Sequence, residues 1–422
     1  MPEVSFTNLV IVAAIAVAAP MLVGFFPRIR VPAVVLEIIA GIMVGPSGLG
    51  WVEIDEPVDI LALMGLAFLL FLAGLEIDAG RLRGRRLLRL ASVGFLLTVV
   101  LGVGAGAALD AGGFVESPLL VGIALMATSL GLVVPVLKDA RQADTPLGQL
   151  VIASSSVADF GAVVLLTLFF SGEDSGTGAK LVLLGGFGLL VVAAGLGLSQ
   201  LGRSMRLEGV LTRLQDTTAE IRIRIAVLIL IAFVALAEQF GLETILGAFL
   251  AGAILNMVDR DAMSTHPHFR IKLEAIGYGF LIPVFFITSG LRFDLQALLD
   301  SPSAIARVPL FLLALLVVRA LPAALYRSTI GRRGAIAAGL LQATSLPFLV
   351  TAAAIGLELG ELTAETGAAL VSAGLLSVIV FPIVSLGLLR KRSAGAAEPE
   401  PDPPAPALTS IEPTAPLLRR EP

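Results

Sequence analysis

An aspartate, Asp159, stands near the middle of a run of apolar residues covering 147–171. Inside hydrocarbon a carboxylate is costly unless it is protonated, paired or bound to an ion. Ser155, one helical turn earlier, shares its helix face. A hydroxyl and a carboxylate side by side are the hard oxygen donors that suit a small monovalent cation. A second run, 306–326, contains Arg319. Eight residues, about 12 Å of helix, separate it from Arg327 at the end of the run, further than its side chain comfortably snorkels. It therefore needs an internal partner, and Asp159 is the acid at comparable depth. A structural hydrogen bond or ion pair, with no part in transport, is the plainer use of the same two residues.

Two Thr–Ser pairs point in the same direction. Ala127-Thr128-Ser129-Leu130 recurs 216 residues later as Ala343-Thr344-Ser345-Leu346. Gly74-Leu75-Glu76-Ile77-Asp78, with Leu82, recurs at the same offset as Gly290-Leu291-Arg292-Phe293-Asp294, with Leu298. Two matches at one offset mark an internal repeat. Thr and Ser hydroxyls can satisfy backbone groups freed where a helix breaks, and Pro135 and Pro347 lie nearby without N–H donors of their own. Broken helices at the bilayer midplane are where secondary transporters built from inverted repeats hold their substrates. Small-residue helix packing is the alternative use of each pair.

Composition says what positions these groups. Of 422 residues, 57% are hydrophobic and 15% charged, against roughly 45–50% and about 25% in soluble domains. The apolar excess falls in runs long enough to cross a hydrocarbon core, so the chain reads as an all-α polytopic membrane protein. Thirteen spans are expected, at about 6–26, 32–46, 58–78, 87–109, 119–138, 147–171, 179–201, 222–242, 243–258, 272–291, 306–326, 334–358 and 364–389. The second and ninth are short for a full crossing, and Pro20, Pro135, Pro283 and Pro347 interrupt others. The repeat pairs spans three and five with ten and twelve. An odd shift of seven spans inverts the second half, spans 8–13, relative to spans 1–6.

Charge orients the spans. Of the 29 Lys and Arg residues, Lys180, Arg292 and Arg307 flank loops on one face, Arg319 lies within the membrane, and Arg419 and Arg420 lie in the tail. All the others fall on the opposite face, most densely at Arg81, Arg83, Arg85, Arg86 and Arg89. By the positive-inside rule that face is cytoplasmic, with the N-terminus outside and the C-terminus inside. Glu3 precedes the first span where a signal peptide would carry basic residues, so cleavage is not expected. The Ala/Pro/Glu-rich tail, 393–422, reads as disordered, and no soluble regulatory domain is expected after it.

Several chemistries are excluded or disfavoured. No cysteine is present, which removes disulfides, thiolate metal sites and thiol nucleophiles. The two histidines, His266 and His268, fall in a loop on the basic face and leave the spans without an imidazole base, so no intramembrane hydrolase, and no enzyme, is expected. Glu37, Glu76, Asp78 and Glu238 lie nearer span ends and read for the most part as interfacial or loop-anchoring, with a transport role the alternative for any one of them.

These residues also resemble a known family. Pro32-Ala33-Val34-Val35-Leu36-Glu37-Ile38-Ile39-Ala40-Gly41, followed by Gly45-Pro46-Ser47, is similar to an early Glu-x-x-x-Gly-x-x-x-Gly-Pro stretch. Phe68-Leu69-Leu70-Phe71-Leu72-Ala73-Gly74-Leu75-Glu76-Ile77-Asp78 and Phe285-Phe286-Ile287-Thr288-Ser289-Gly290-Leu291 resemble the two most recognisable motifs. Over residues 5–392 the chain resembles the cation:proton antiporters of the second, Kef- and NapA-type branch of the sodium/hydrogen exchanger superfamily. The resemblance implies a NapA/NhaA-like fold with two crossing discontinuous helices. Thr128 and Ser129 would lie at the first crossover, and Thr344, with Gln342 and Ser345, at the second. Asp159 would bind the ion and the proton, and Arg319 would face it. The fold would divide residues 1–392 into a core, about 87–171 and 306–389, and a dimerising remainder.

Two departures matter. The residue before the key aspartate is usually Asp, Asn or Gln in relatives and is Ala158 here. The Arg/Gly-Glu segment often seen at the second crossover is replaced by Gln342-Ala343-Thr344-Ser345-Leu346-Pro347. Arg319 keeps its proton in a protein and Ala158 has none to give, leaving one titrating carboxylate. The expected activity is exchange of a monovalent cation, Na⁺ or K⁺, for one proton by alternating access. It would be electroneutral, without a cofactor, in a homodimer of the cell inner membrane. A cation channel or a non-transporting sensor on the same fold is the alternative; a channel needs a continuous polar pore, and a sensor usually appends a signalling domain.

Overall fold

A computed structural model describes residues 6–25, 32–76, 85–170, 220–240, 242–258 and 267–393, with isolated positions between 185 and 193. The window 179–201, Asp78, His266 and the tail beyond 393 lie outside the described residues or nearly so. Every described element is helical: α1 Thr7–Phe25, α2 Ala33–Val44, α3 Glu56–Leu75, α4 Arg85–Ala111, α5 Pro118–Ala124, α6 Leu130–Asp139, α7 Pro146–Phe170, α8 Ile221–Gln239 and α9 Thr244–Val258. There follow α10 Pro267–Ile276, a π turn Gly277–Leu281, α11 Ile282–Leu291, α12 Leu295–Leu299, α13 Pro302–Ala320, a 3₁₀ turn Pro322–Tyr326, α14 Arg327–Gln342, α15 Pro347–Glu358 and α16 Ala364–Ser393.

Local chemistry starts these helices where they start. Asp55 caps α3 by accepting the Val58 N–H at 3.2 Å, and Asp294 caps α12 by accepting that of Ala297 at 2.8 Å, each satisfying one of the four donors a helix N-terminus leaves over. Gly331, at φ +75°, turns the chain inside the stretch assigned to α14, a conformation that favours glycine. Among the described residues, seven helical stretches are long and apolar enough to cross a membrane, and α2 and α9 are shorter apolar helices. Large apolar side chains on α1, α4 and α8, such as Val17, Leu96, Val100 and Leu228, are exposed, as helices facing lipid tails require. This is a multi-pass membrane protein.

The window 119–138 is not one helix. It is α5 and α6 on either side of a non-helical segment that includes Ala127–Ser129. The window 334–358 is likewise α14 and α15, parted at Ala343–Leu346. Helix breaks therefore occur at both Thr–Ser pairs.

The repeat is visible in packing. A Cβ on Gly74 of α3 would stand 2.1 Å from the Phe249 carbonyl oxygen of α9, and one on Gly252 of α9 would stand 2.0 Å from that of Phe71. In the second half a Cβ on Gly290 of α11 would stand 2.2 Å from the Ile38 oxygen of α2, and one on Gly41 would stand 2.2 Å from that of Ile287. Gly74 and Gly290 are the repeat-equivalent glycines, and each lets a helix from the other half approach backbone to backbone, a small-residue contact typical of membrane interfaces. Gly290→Ala is expected to destabilise by about 1–3 kcal/mol through overpacking and to lower the thermal unfolding midpoint in detergent. Gly104→Ala, on α4 with no atom within 4 Å of the added carbon, should leave the midpoint unchanged or raise it.

Candidate functional site

The site forms where the two breaks meet. The Ser129 N–H donates to the Thr344 carbonyl at 2.9 Å, and the Thr128 hydroxyl donates to the Gln342 carbonyl at 2.7 Å. Four helix ends converge there: the C-termini of α5 and α14, with carbonyls to spare, and the N-termini of α6 and α15, with donors to spare. Hydrogen bonds between the breaks satisfy part of this, and Ser377 on α16 satisfies more. Its hydroxyl accepts the Ser345 N–H at 3.1 Å and lies 2.9 Å from the Ser345 carbonyl. The remainder is electrostatic, and two charged side chains meet it.

Asp159 approaches from α7. Its Oδ1 accepts the Thr128 N–H at 2.8 Å, placing a carboxylate at the donor-rich start of α6. Arg319 approaches from α13 and is buried, 2% exposed. Its Nε donates to Thr128 Oγ1 at 2.9 Å and to the Gln342 carbonyl at 3.3 Å, its Nη1 donates to Thr98 Oγ1 of α4 at 3.2 Å, and its Nη2 also bonds to Thr128 Oγ1. The guanidinium thus sits at the carbonyl-rich end of α14. Each charge compensates the helix ends of opposite sign.

Arg319 does have internal partners, but a direct Asp159–Arg319 ion pair is not among the described contacts. Thr128 stands between the two, its backbone holding Asp159 and its hydroxyl holding Arg319. Depth along a helix located both charges, whereas the threonine wedge between them depends on how the breaks cross.

A cavity of about 70 Å³ reaches Asp159. Thr128, Ser129, Leu130, Asp159, Glu76 and Tyr278 are among its walls, with Phe286, Pro347 and Phe348. Asp159 is partly buried and faces this space. Ser155 does not line it: it is fully buried, and its Oγ has no hydrogen-bond partner. The Ser345 hydroxyl is likewise enclosed without a partner. Thr344 uses its own to bond back to the Leu340 carbonyl at 3.2 Å. Gln342 contributes its backbone to the centre, while its side chain points toward the Tyr326 hydroxyl at 3.5 Å. Ala158 is buried beside Asp159, and Thr98, not the residue before the aspartate, supplies the further contact to the arginine.

The other acids separate. Glu238 is exposed near the end of α8. Glu37, expected at an interface, is instead 4% exposed, because the Gly41–Gly290 crossing presses α2 against α11. Glu76 closes the C-terminus of α3 and lines the cavity, a placement that its position near a span end did not reveal. Thr98 and Ser377 were also missed, although each is a hydroxyl inside an apolar helix and so carries a visible signal.

Thr128→Val removes the hydroxyl that serves both Arg319 and Gln342. An unpaired buried polar group costs about 1–3 kcal/mol. The variant should melt at lower temperature and lose tenfold or more of any cation-dependent proton movement in proteoliposomes, and Thr128→Ser should restore both. A Val variant equal to the parent on both readouts contradicts the bridging role.

The family described as "Sodium/hydrogen exchanger, transmembrane" matches residues 12–391. YjbQ of Bacillus subtilis, which carries an Na⁺/H⁺ antiporter name, is 33% identical over 399 residues, covering 91% of this chain and 63% of that one. The "Probable Na(+)/H(+) antiporter 3" of Methanocaldococcus jannaschii is 29% identical over 375 residues, covering 85% and 90%. The chain thus spans less than two thirds of the first relative's length and most of the second's. Among solved structures, the sodium proton antiporter MjNhaP1 of M. jannaschii superposes with a TM-score of 0.64 over 92% of this chain and 97% of that one, at 18% identity, a likeness of fold. With nearly its whole length matched, the chain belongs to the sodium/hydrogen exchanger transmembrane family.

Proposed function

We propose that the protein exchanges a monovalent cation, Na⁺ or K⁺, for protons across the cell inner membrane, with Asp159 as the group that carries either one. The observation that bears most weight is the position of this carboxylate: on a cavity, against the start of a broken helix, held by backbone N–H groups of Thr128 and Leu130 and, among the described residues, with no salt bridge of its own. A proton or a cation can neutralise it there, but not both at once, and that competition couples the two flows. Thr128 and Ser129 line the same cavity and offer oxygen donors of the kind hard cations take. The Ser155 hydroxyl, one turn from Asp159, is buried without a partner and lies off the cavity wall, so it would join them only if the site rearranges. Gln342, Thr344 and Ser345 form the opposing wall of the crossover. Names of relatives support both candidate ions: GerN of Bacillus cereus, 28% identical over 270 residues, is an Na⁺/H⁺-K⁺ antiporter.

Arg319 works differently. Its proton stays in place, and its bonds run to Thr128, Thr98 and the Gln342 carbonyl, so it serves as a fixed countercharge for the α14 terminus. With Ala158 inert, one proton per cation follows, and exchange is electroneutral. The family resemblance supports the remaining architecture: thirteen spans in two inverted halves and a core of about 87–171 and 306–389. In this reading the core rocks against a dimerising remainder of residues 1–392, exposing Asp159 alternately to each face. The density of arginines supports an outside N-terminus and a cytoplasmic basic-loop face.

Asp159→Asn keeps the shape and the hydrogen bond from Thr128 but cannot exchange a proton for a cation. In proteoliposomes with a trapped proton-sensitive dye, Na⁺, K⁺ or Li⁺ should dequench the parent and leave this variant silent, with an unchanged melting temperature. Cation-driven dequenching by a folded Asp159→Asn would refute the role. Run with the three ions, the same assay identifies the substrate.

A further inference from the structure

Two carboxylates, not one, line the cavity that leads to Asp159. Glu76 is the other, and the remaining wall residues carry no further acid. We propose that Glu76 is a second monovalent-cation site, which loads the cavity from the basic-loop face before the ion moves to Asp159. This rests on the reading of Asp159 given above and adds a route and a sidedness to it.

The geometry leaves Glu76 short of positive charge. Its Oε1 is 3.5 Å from Arg270 Nη2, a long contact, while the stronger bond of that guanidinium, Nε to Glu274 Oε1, is 2.7 Å. One arginine is thus divided between two carboxylates, with the better geometry given to Glu274. The Glu76 Oε2 is enclosed and has no hydrogen-bond partner. Lys138 of α6, the Tyr278 hydroxyl of the π turn and Asp159 itself are the other titratable groups around it. Glu76 also caps the C-terminus of α3, its N–H shared between the Leu72 and Ala73 carbonyls at 3.2 Å each. The last carbonyls of a helix carry its partial negative charge, so they repel a carboxylate and attract a cation. An unpartnered oxygen, a carboxylate and a helix C-terminus at one cavity wall make a place where a dehydrating cation gains ligands.

The repeat supplies the contrast. The position equivalent to Glu76 is Arg292. It lies on a second cavity, of about 250 Å³, between α3, α11, α15 and α16, and is paired with Asp59. A cation arriving on that side meets a guanidinium already paired with Asp59 and the Asp294 carboxylate engaged as a helix cap, whereas Glu76 keeps an oxygen with no partner. The two entrances should therefore differ in apparent cation affinity, with the basic-loop side tighter.

The test is the cation KM for exchange measured from each face, in everted and in right-side-out membrane vesicles. Glu76→Gln should raise KM at least threefold from the basic-loop face and leave the ratio of the two faces shifted by that factor. Arg270→Gln, which removes the competing cation, should shift the ratio the opposite way. A folded Glu76→Gln whose KM is unchanged, or rises equally from both faces, overturns the proposal. If Glu76→Gln fails to fold, Arg270→Gln decides alone, and a ratio that does not move, or that moves towards weaker apparent affinity at the basic-loop face, overturns it. Failure of the Asp159 reading is separate: it would appear as exchange surviving in Asp159→Asn, whatever Glu76 does.

Discussion

Everything in this protein is arranged around the need to hold two interrupted helices against each other where no water is available to satisfy them. A broken helix exposes donors on one side and acceptors on the other, and at membrane depth each must find a partner within the protein. Here the partners are reciprocal. Ser129 bonds to Thr344, Thr128 bonds to the Gln342 carbonyl, and Ser377 closes the Ser345 backbone. Asp159 and Arg319 complete the compensation from opposite signs. Charge burial, which would be a liability in an ordinary core, becomes the least costly way to finish the junction. The same arrangement leaves one of its charges beside a cavity.

That asymmetry between the two charges carries the functional argument. Arg319 is 2% exposed and surrounded by acceptors from α4, the first break and the second. Asp159 has backbone donors at the start of α6, no described side-chain partner, and a side on the cavity. A fully satisfied ion is scaffold; an undersatisfied ion on a cavity is a binding site. The glycine crossings serve this by fixing the walls. Gly41 with Gly290, and Gly74 with Gly252, bring the backbones of α2 and α11, and of α3 and α9, into contact.

Much of this was legible in the sequence. Asp159 and Arg319 stand out because charge within apolar runs is rare, and the Thr–Ser pairs because they repeat at the offset of Gly74 and Gly290. The breaks could be expected from those pairs and their prolines. What could not be read was relation between helices. Periodicity places Ser155 on the face of Asp159, yet it is buried and does not line the cavity. Depth matches Arg319 with Asp159, yet Thr128 separates them. Glu76 and Glu37 look alike as acids near span ends. One lines the path to Asp159 and the other is buried by the α2–α11 crossing, outcomes set by packing between segments far apart in the chain. The long run 302–358 shows the same limit, since it reads as one apolar stretch while α13, the 3₁₀ turn, α14 and α15 are separate elements.

If one carboxylate alternates between proton and cation while the arginine stays charged, no net charge crosses the membrane in a cycle. The most direct test is to apply a sudden cation gradient to the purified protein on a solid-supported membrane, alongside dye-reported proton movement in the same preparation. The account predicts proton movement with no transport current. A current that grows with the gradient and vanishes in Asp159→Asn would mean that a second charge moves with each cycle, and would contradict it.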